Sequence, residues 1–316
     1  MIECESSGVY GFNYFNYFNY FNYLESITYA FKELGHNVRM FYEPDINDKA
    51  GIQKLKEEIL GYKPDLFLNF GGNYCFDIID SNFLNKLKCK KVYQYADSIR
   101  RIESEKQNLD GYDLILVFEP SDVEYIYDKF GIKAVLWQVG AAEEIYSSFL
   151  ISDAKPYDIC FVGGMTEERL IFMEQVVNWV SIHKYNMIVC CHCWHDNNWL
   201  NKFFSKWKFS LNYPILSKYI YNSYIYPSEV ASIYKQTKIC LNKHVAAHEG
   251  MNYRTFEIMA GNNFVLCDDR VQASDYGLIE GVHLSFYKNI DECIDKIEYY
   301  LKNADLRSTI AYQGGR

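Results

Sequence analysis

Glu249-Gly250-Met251-Asn252-Tyr253-Arg254-Thr255-Phe256-Glu257 runs into Ile258-Met259-Ala260-Gly261 and then into the apolar stretch Asn263-Phe264-Val265-Leu266-Cys267-Asp268-Asp269. Asn252 is a good N-cap residue and Gly261 a helix stop, so a helix followed by a strand is expected, the signature of an αβ unit. A helix that starts near Asn252 presents unpaired backbone N–H groups and the positive pole of its dipole, which suits a diphosphate. Glu257 falls about five residues inside, roughly 7–8 Å along the axis. Glu249 precedes the helix and can fold over its mouth. The two carboxylates can thus reach hydroxyls on either side of one diphosphate, with Arg254 supplying fixed positive charge. Spacing alone also fits an ordinary amphipathic helix with two solvated glutamates.

Outward from this stretch, short apolar runs alternate with amphipathic segments along the whole chain, as in parallel sheets covered on both faces. Helix is expected over 24–34, ending at Gly35, and over 51–60. Strands are expected at Val38–Tyr42, Asp65–Phe70, Lys91–Tyr95, Leu114–Phe118 and Ala134–Trp137. The rhythm breaks over the stretch from about Ala142 to Tyr157, which ends in Lys155-Pro156 and divides the chain into domains 1–150 and 151–316. A second set follows: strand Asp158–Val162, helix 167–180, strand Asn186–Cys190, helix 227–235, strand Lys238–Leu241, the quoted helix and strand, and a last helix over 292–301. The fold class is α/β, two Rossmann-like domains with parallel sheets and an expected cleft between them.

With 316 residues, 49% hydrophobic and 23% charged, the chain is globular rather than disordered. A net charge of −9 weighs against a nucleic-acid partner, and no basic patch offsets it. Met1-Ile2-Glu3-Cys4-Glu5 has neither the basic start nor the apolar run of a secretory signal. No apolar stretch approaches the roughly 18 residues of a transmembrane helix. The ten cysteines are scattered, several of them in apolar runs. A cytoplasmic protein with cysteines as small buried hydrophobes is the expectation.

Three further features invite chemistry. Phe-Asn-Tyr repeats four times from Phe12 to Tyr23; a period of three builds neither a helical stripe nor an alternating strand. It reads as a tolerated loop expansion, with an aromatic platform for a sugar ring as the second option. Cys190-Cys191-His192-Cys193-Trp194-His195 is rich in metal-ligand types, but they are crowded together without a distant partner pair, so no metal site is expected. His244 and His248 precede the quoted helix and could reach a donor's phosphate or sugar, although loop histidines are more often simply exposed.

The segments Tyr157-Asp158-Ile159-Cys160-Phe161-Val162-Gly163-Gly164 with Glu168-Arg169, Thr237-Lys238-Ile239-Cys240-Leu241-Asn242, and Asn252 to Glu257 with Ala260-Gly261 resemble the CgeB-like, spore-maturation-type glycosyltransferases of GT-B architecture. The resemblance covers most of the second domain in order. It is looser in the first, at Leu34-Gly35-His36-Asn37-Val38 and Tyr95-Ala96-Asp97-Ser98. It implies that Glu257 binds the nucleotide ribose, that Arg254 and Thr255 at the helix start hold the diphosphate, and that Glu249 contacts the donor sugar as in retaining enzymes. Gly163 and Gly164, between strand and helix, suit close phosphate approach, and Arg169 would neutralise the leaving diphosphate.

The resulting expectation is a metal-independent glycosyltransferase with a nucleotide sugar as donor and no further cofactor. The acceptor is an unidentified glycan, protein or small molecule. Retention is favoured by the glutamate pair, with Asp97 as general base should the enzyme invert. The alternatives are a non-catalytic protein of the same shape that binds sugar nucleotides, and a DNA-base glucosyltransferase, which the acidic balance disfavours. The chain stops at Gly314-Gly315-Arg316, so no helix crossing back to the first domain is expected.

Overall fold

The computed structural model describes residues 27–71, 78–95, 98–101, 108–137, 140–147, 155–194, 198–223, 225–246, 249–270 and 273–316. The chain divides into two compact units, Met1–Gln138 and Val139–Arg316. The division lies ahead of the break expected near residue 150. The reason is Tyr146, which is buried in a core of the second unit with Ile258 and Met259 and stacks on Tyr234 at 6.5 Å.

In the first unit, residues 27–33 are helical and end at Gly35, whose φ of 82° is the left-handed conformation that glycine adopts at little cost. Val38–Tyr42 carries a single bridge residue at Arg39 rather than the expected strand. Four parallel strands follow in sequential order: β1 (Leu66–Gly71), β2 (Lys90–Tyr95), β3 (Leu114–Val117) and β4 (Ala134–Leu136). The helices are α1 (Lys49–Tyr62), α2 (Ser81–Leu84) and α3 (Pro120–Phe130). Leu55 and Ile59 of α1, Tyr93 of β2, Ile115 of β3 and Ile126 of α3 share one core. Alternating apolar residues place these side chains on common faces.

The second unit opens with α4 (Glu143–Tyr146) and continues β5 (Tyr157–Val162), α5 (Glu167–His183), β6 (Met187–Cys191), α6 (Trp199–Asn212), β7 (Ile220–Asn222) and α7 (Pro227–Lys235). After these come β8 (Thr237–Asn242), α8 (Tyr253–Ala260), β9 (Val265–Asp268), β10 (Ser285–Tyr287), α9 (Ile290–Lys302) and α10 (Ala304–Gly314). The six strands are parallel, in the order β10-β9-β8-β5-β6-β7.

Period-two alternation along β5 splits its side chains between two cores. Ile159 and Phe161 pack with Met173, Val176 and Val177 of α5 and Ile297 of α9, while Cys160 and Val162 pack with Val230 and Tyr234 of α7 and Ile258 of α8. A strand buried on both faces reads as the unbroken apolar run seen in the sequence.

This order fixes where a ligand can be received. From β5 the chain winds outward through β6 and β7, then returns to the other side of β5 with β8 and winds outward through β9 and β10. The connections diverge between β5 and β8, which opens a crevice at the carboxyl ends of these two strands. Gly163-Gly164 and Asn242-Lys243-His244 are the residues that leave those ends.

Candidate functional site

The start of α8 is fastened to the end of β8 by side-chain amides. Asn252 caps the helix with its Oδ1 accepting from the Thr255 N–H at 3.3 Å. Asn242, the last residue of β8, donates Nδ2–H to Asn252 Oδ1 at 2.9 Å and to Thr255 Oγ1 at 3.0 Å. Asn252 returns a bond to Asn242 Oδ1 at 3.3 Å, and the Tyr287 hydroxyl donates to the Asn242 carbonyl at 3.0 Å. The positive end of α8 is therefore held at the crevice between β5 and β8. Thr255 is fully buried, and its side chain serves the cap.

The other end of α8 is equally determined. The buried Lys235 ammonium donates to the Gly261 carbonyl at 2.6 Å, a cation at the negative pole of the dipole. The helix stops at Gly261 as expected, and the chain turns at Asn262, whose φ of 52° is left-handed. Glycine is needed at 261 for space: a Cβ there would lie 2.4 Å from the Asn263 amide and 3.2 Å from the Tyr146 carbonyl.

Arg254 and Glu257 meet each other. Arg254 Nη1 donates to Glu257 Oε2 at 2.6 Å, one helical step of three residues apart, with both side chains largely buried. Burial opposes the arginine's charge, but Glu257 and the phenols of Tyr234, Tyr253 and Tyr146 outweigh it and hold its pKa well above the ordinary value. Tyr146 stands beside Glu257; burial first, and the glutamate's charge second, hold its phenol well above the usual range, so it stays protonated. Glu257 is thus held by Arg254 beside a neutral phenol, while a carboxylate retains further acceptor positions. Beside this group the buried Tyr234 hydroxyl has no partner among the described residues.

Across the crevice, Arg169 of α5 donates Nη1–H to the Gly164 carbonyl at 2.8 Å and lies over the Phe161 ring at 5.9 Å. Burial pulls its pKa down, and its Nε is enclosed without a partner among the described residues. Gly163 has room for a Cβ, with only ordinary contacts to Phe161.

Asp268, ending β9, anchors the loop that follows β8. It accepts from the His244 N–H at 2.7 Å, contacts His244 Nδ1 at 2.7 Å, accepts from Arg270 Nη2 at 2.7 Å and faces Lys243 Nζ at 3.5 Å. Lys243 also reaches Glu168 at 2.9 Å. Burial would raise the Asp268 carboxyl, but the His244 and Arg270 contacts reverse this and hold it well below its ordinary value. Burial likewise outweighs the aspartate contact at His244 and pulls the imidazole below 6.5. A neutral imidazole beside an ionised carboxylate must carry its proton on Nδ1, which leaves Nε2 as the buried acceptor. Lys243, Arg270 and Arg169 stand against Asp268 and Glu168, so three cations gather at the carboxyl ends of β5, β8 and β9.

The remaining expected residues are less fully described. Glu249 is half-buried just before Gly250 and Met251, which are buried. Asp97, His248 and the Phe-Asn-Tyr repeat lie outside the described residues. The segment after Asp97 is pinned by the buried Asp122, which accepts from Ser98 Oγ at 2.9 Å, the Ile99 N–H at 3.1 Å and Arg100 Nε at 2.7 Å.

At Cys190–Trp194 the backbone is held by Asn222 of β7, whose Oδ1 accepts from the Cys193 N–H at 2.7 Å and the Trp194 N–H at 3.1 Å. Among the described residues no three metal-ligating side chains converge, and no helix is long and apolar enough to cross a membrane. Two grooves, of about 650 Å³ beside Pro120 and Tyr127 and about 310 Å³ beside Asp269 and Lys288, involve none of the site residues expected from the sequence.

Asn242, Tyr146, Lys243 and Asp268 are absent from the residues expected to form the site. A polar residue closing the apolar run Lys238-Ile239-Cys240-Leu241 was the one available signal, since a buried strand ends in asparagine only where its amide has partners.

Residues 184–316 match the family model described as glycosyl transferase-like. No curated protein matches the chain in sequence. Among solved structures, the chain is similar to HepE from Anabaena in complex with UDP and glucose, at 10% identity and a TM-score of 0.60 over 91% of this chain and 83% of that one. It is also similar to a glycosyltransferase from Rickettsia africae, at 11% identity and 0.58 over 92% and 81%. Sucrose-phosphate synthase from Thermosynechococcus elongatus matches at 12% and 0.56 over 87% and 74%. The chain has the GT-B fold, and within its second unit residues 184–316 are similar to glycosyl transferase-like domains.

Proposed function

We propose that the protein is a glycosyltransferase that takes a sugar from a nucleoside-diphosphate donor held at the carboxyl edge of the second sheet. The observation that carries this reading is the amide-fastened start of α8 at the crevice, with Glu257 held by Arg254 beside it. Glu257 accepts the ribose hydroxyls, and Arg254 acts chiefly by orienting that carboxylate. The diphosphate meets the helix start and the cations Lys243, Arg270 and Arg169, which stabilise the leaving group without a metal. Glu249 contacts the transferred sugar, which favours retention. The likeness to a HepE structure holding UDP and glucose makes a uridine donor the first to test, and the quoted motifs support the CgeB-like subtype.

Calorimetry with UDP, GDP, ADP and TDP tests the reading. One of them should bind, and Glu257→Ala should weaken it by about 2–4 kcal/mol, roughly 30- to 1000-fold, through lost charged hydrogen bonds. Slow release of the free diphosphate from its sugar conjugate, undiminished by EDTA, would add the catalytic step. A wild-type chain that binds none of the four sinks the proposal.

A further inference from the structure

Helix α6, Trp199-Leu200-Asn201-Lys202-Phe203-Phe204-Ser205-Lys206-Trp207-Lys208-Phe209-Ser210-Leu211-Asn212, has no buried residue along its length. Trp199, Leu200, Phe203, Phe204, Trp207 and Leu211 are each between 47 and 76% exposed. At 100° per residue these six fall within an arc of about 140°. Phe209, outside that arc, is the aromatic side chain turned inward, 5.3 Å from Trp194. The helix therefore rests on the unit by its narrow side and presents its broad aromatic face outward. A patch of this kind on a monomer marks a contact surface.

Charge identifies the contact. The helix contains three lysines and no acid, in a chain of net charge −9. Lys208 borders the apolar arc on one side and Lys206 and Lys202 on the other; Lys206 lies over the Trp194 ring at 5.5 Å. Among the described residues none of the three pairs with a carboxylate. An anionic lipid surface fits both halves: tryptophan and phenylalanine side chains enter the headgroup boundary while flanking lysines reach the phosphates.

We propose that α6 is an in-plane membrane-surface helix, which docks the second unit on an anionic bilayer with its aromatic face inserted. This goes beyond the transferase reading and does not depend on it.

The test is co-sedimentation of the full chain with phosphatidylcholine vesicles and with the same vesicles carrying roughly a third phosphatidylglycerol. The wild-type chain should bind the anionic vesicles, with a blue shift of tryptophan emission and release at high salt. Phe203→Ser with Trp207→Ser should abolish binding. Lys202→Glu with Lys206→Glu and Lys208→Glu should lower vesicle partition by roughly a hundredfold or more, since each lysine near an anionic surface contributes about fivefold and each glutamate adds repulsion. Both variants should keep the wild-type melting temperature and nucleotide affinity. Absence of wild-type binding to anionic vesicles overturns the proposal, as does equal binding by the charge-reversed chain. Loss of a dimer on gel filtration in the Phe203→Ser, Trp207→Ser variant, with no vesicle binding by the wild type, assigns the face to a second copy instead.

Discussion

Two helices of the second unit, α8 and α6, solve opposite problems. The eight residues of α8 are fixed at both ends by side chains, Asn252 with Asn242 at the start and Lys235 at the finish, and Ile258 and Met259 are buried below. The fourteen residues of α6 bury none of their own and, Phe209 apart, turn their aromatic side chains away from the unit. The sequence of α8 is explained by what surrounds it inside the unit. That of α6 is not, and what explains it must lie outside. Amphipathic spacing reports that a helix has a face; only the surrounding fold tells what the face is for.

The contrast can be broken most directly by core truncation. Ile258→Ala should cost about 2–5 kcal/mol in urea unfolding, because it opens a cavity between α8 and the sheet. A loss below about 1 kcal/mol would mean that α8 is not seated as described. Next in size is Asn252→Ala, which removes a cap and leaves the Asn242 amide short of a partner; about 1–2 kcal/mol is expected, together with weaker nucleotide binding.

The pH profile sharpens the same comparison. His244 titrates below its ordinary 6.5 in the folded chain, so the unfolded chain takes up a proton that the folded chain refuses. Stability must then fall as pH drops below 6.5, and His244→Gln should flatten that limb. Asp268, depressed below its ordinary 3.8, adds a second loss as pH falls below that value toward its folded pKa. A wild-type stability curve flat from pH 7 to 4 would contradict the first, and one flat from pH 4 to 2 the second. The smallest effect is expected on α6: Phe203→Ser should change stability by no more than about 0.5 kcal/mol, as at any exposed site. A loss comparable to Ile258→Ala would show that the face is covered within the chain.

Much of the second unit was legible because doubly buried parallel strands appear as short continuous apolar runs, as at Asp158–Val162 and Phe264–Cys267. Val38–Tyr42 has the same look but carries only one bridge residue, since apolar composition does not guarantee a neighbour to pair with. The cap at Asn252 was legible as a local event, settled within three residues. The Arg254–Glu257 pair was allowed by spacing, yet whether the arginine turns to a ligand or to its own glutamate depends on burial, which spacing does not reveal. The links from Lys243 to Glu168 and from His244 to Asp268 join distant parts of the chain across the sheet, and nothing local announces them.

The Asn242–Asn252 amide pair has a consequence for how such a protein can change its diet. Because strand end and helix start are bolted to each other, and Lys243 and His244 are tied down by Asp268, the short span from His244 to Asn252 begins and ends at fixed posts. Substitutions or exchanges in that short span can remodel what the crevice selects while the posts stay put. Donor preference is thereby separated from folding, and this stretch is where closely related chains with different sugars should diverge first.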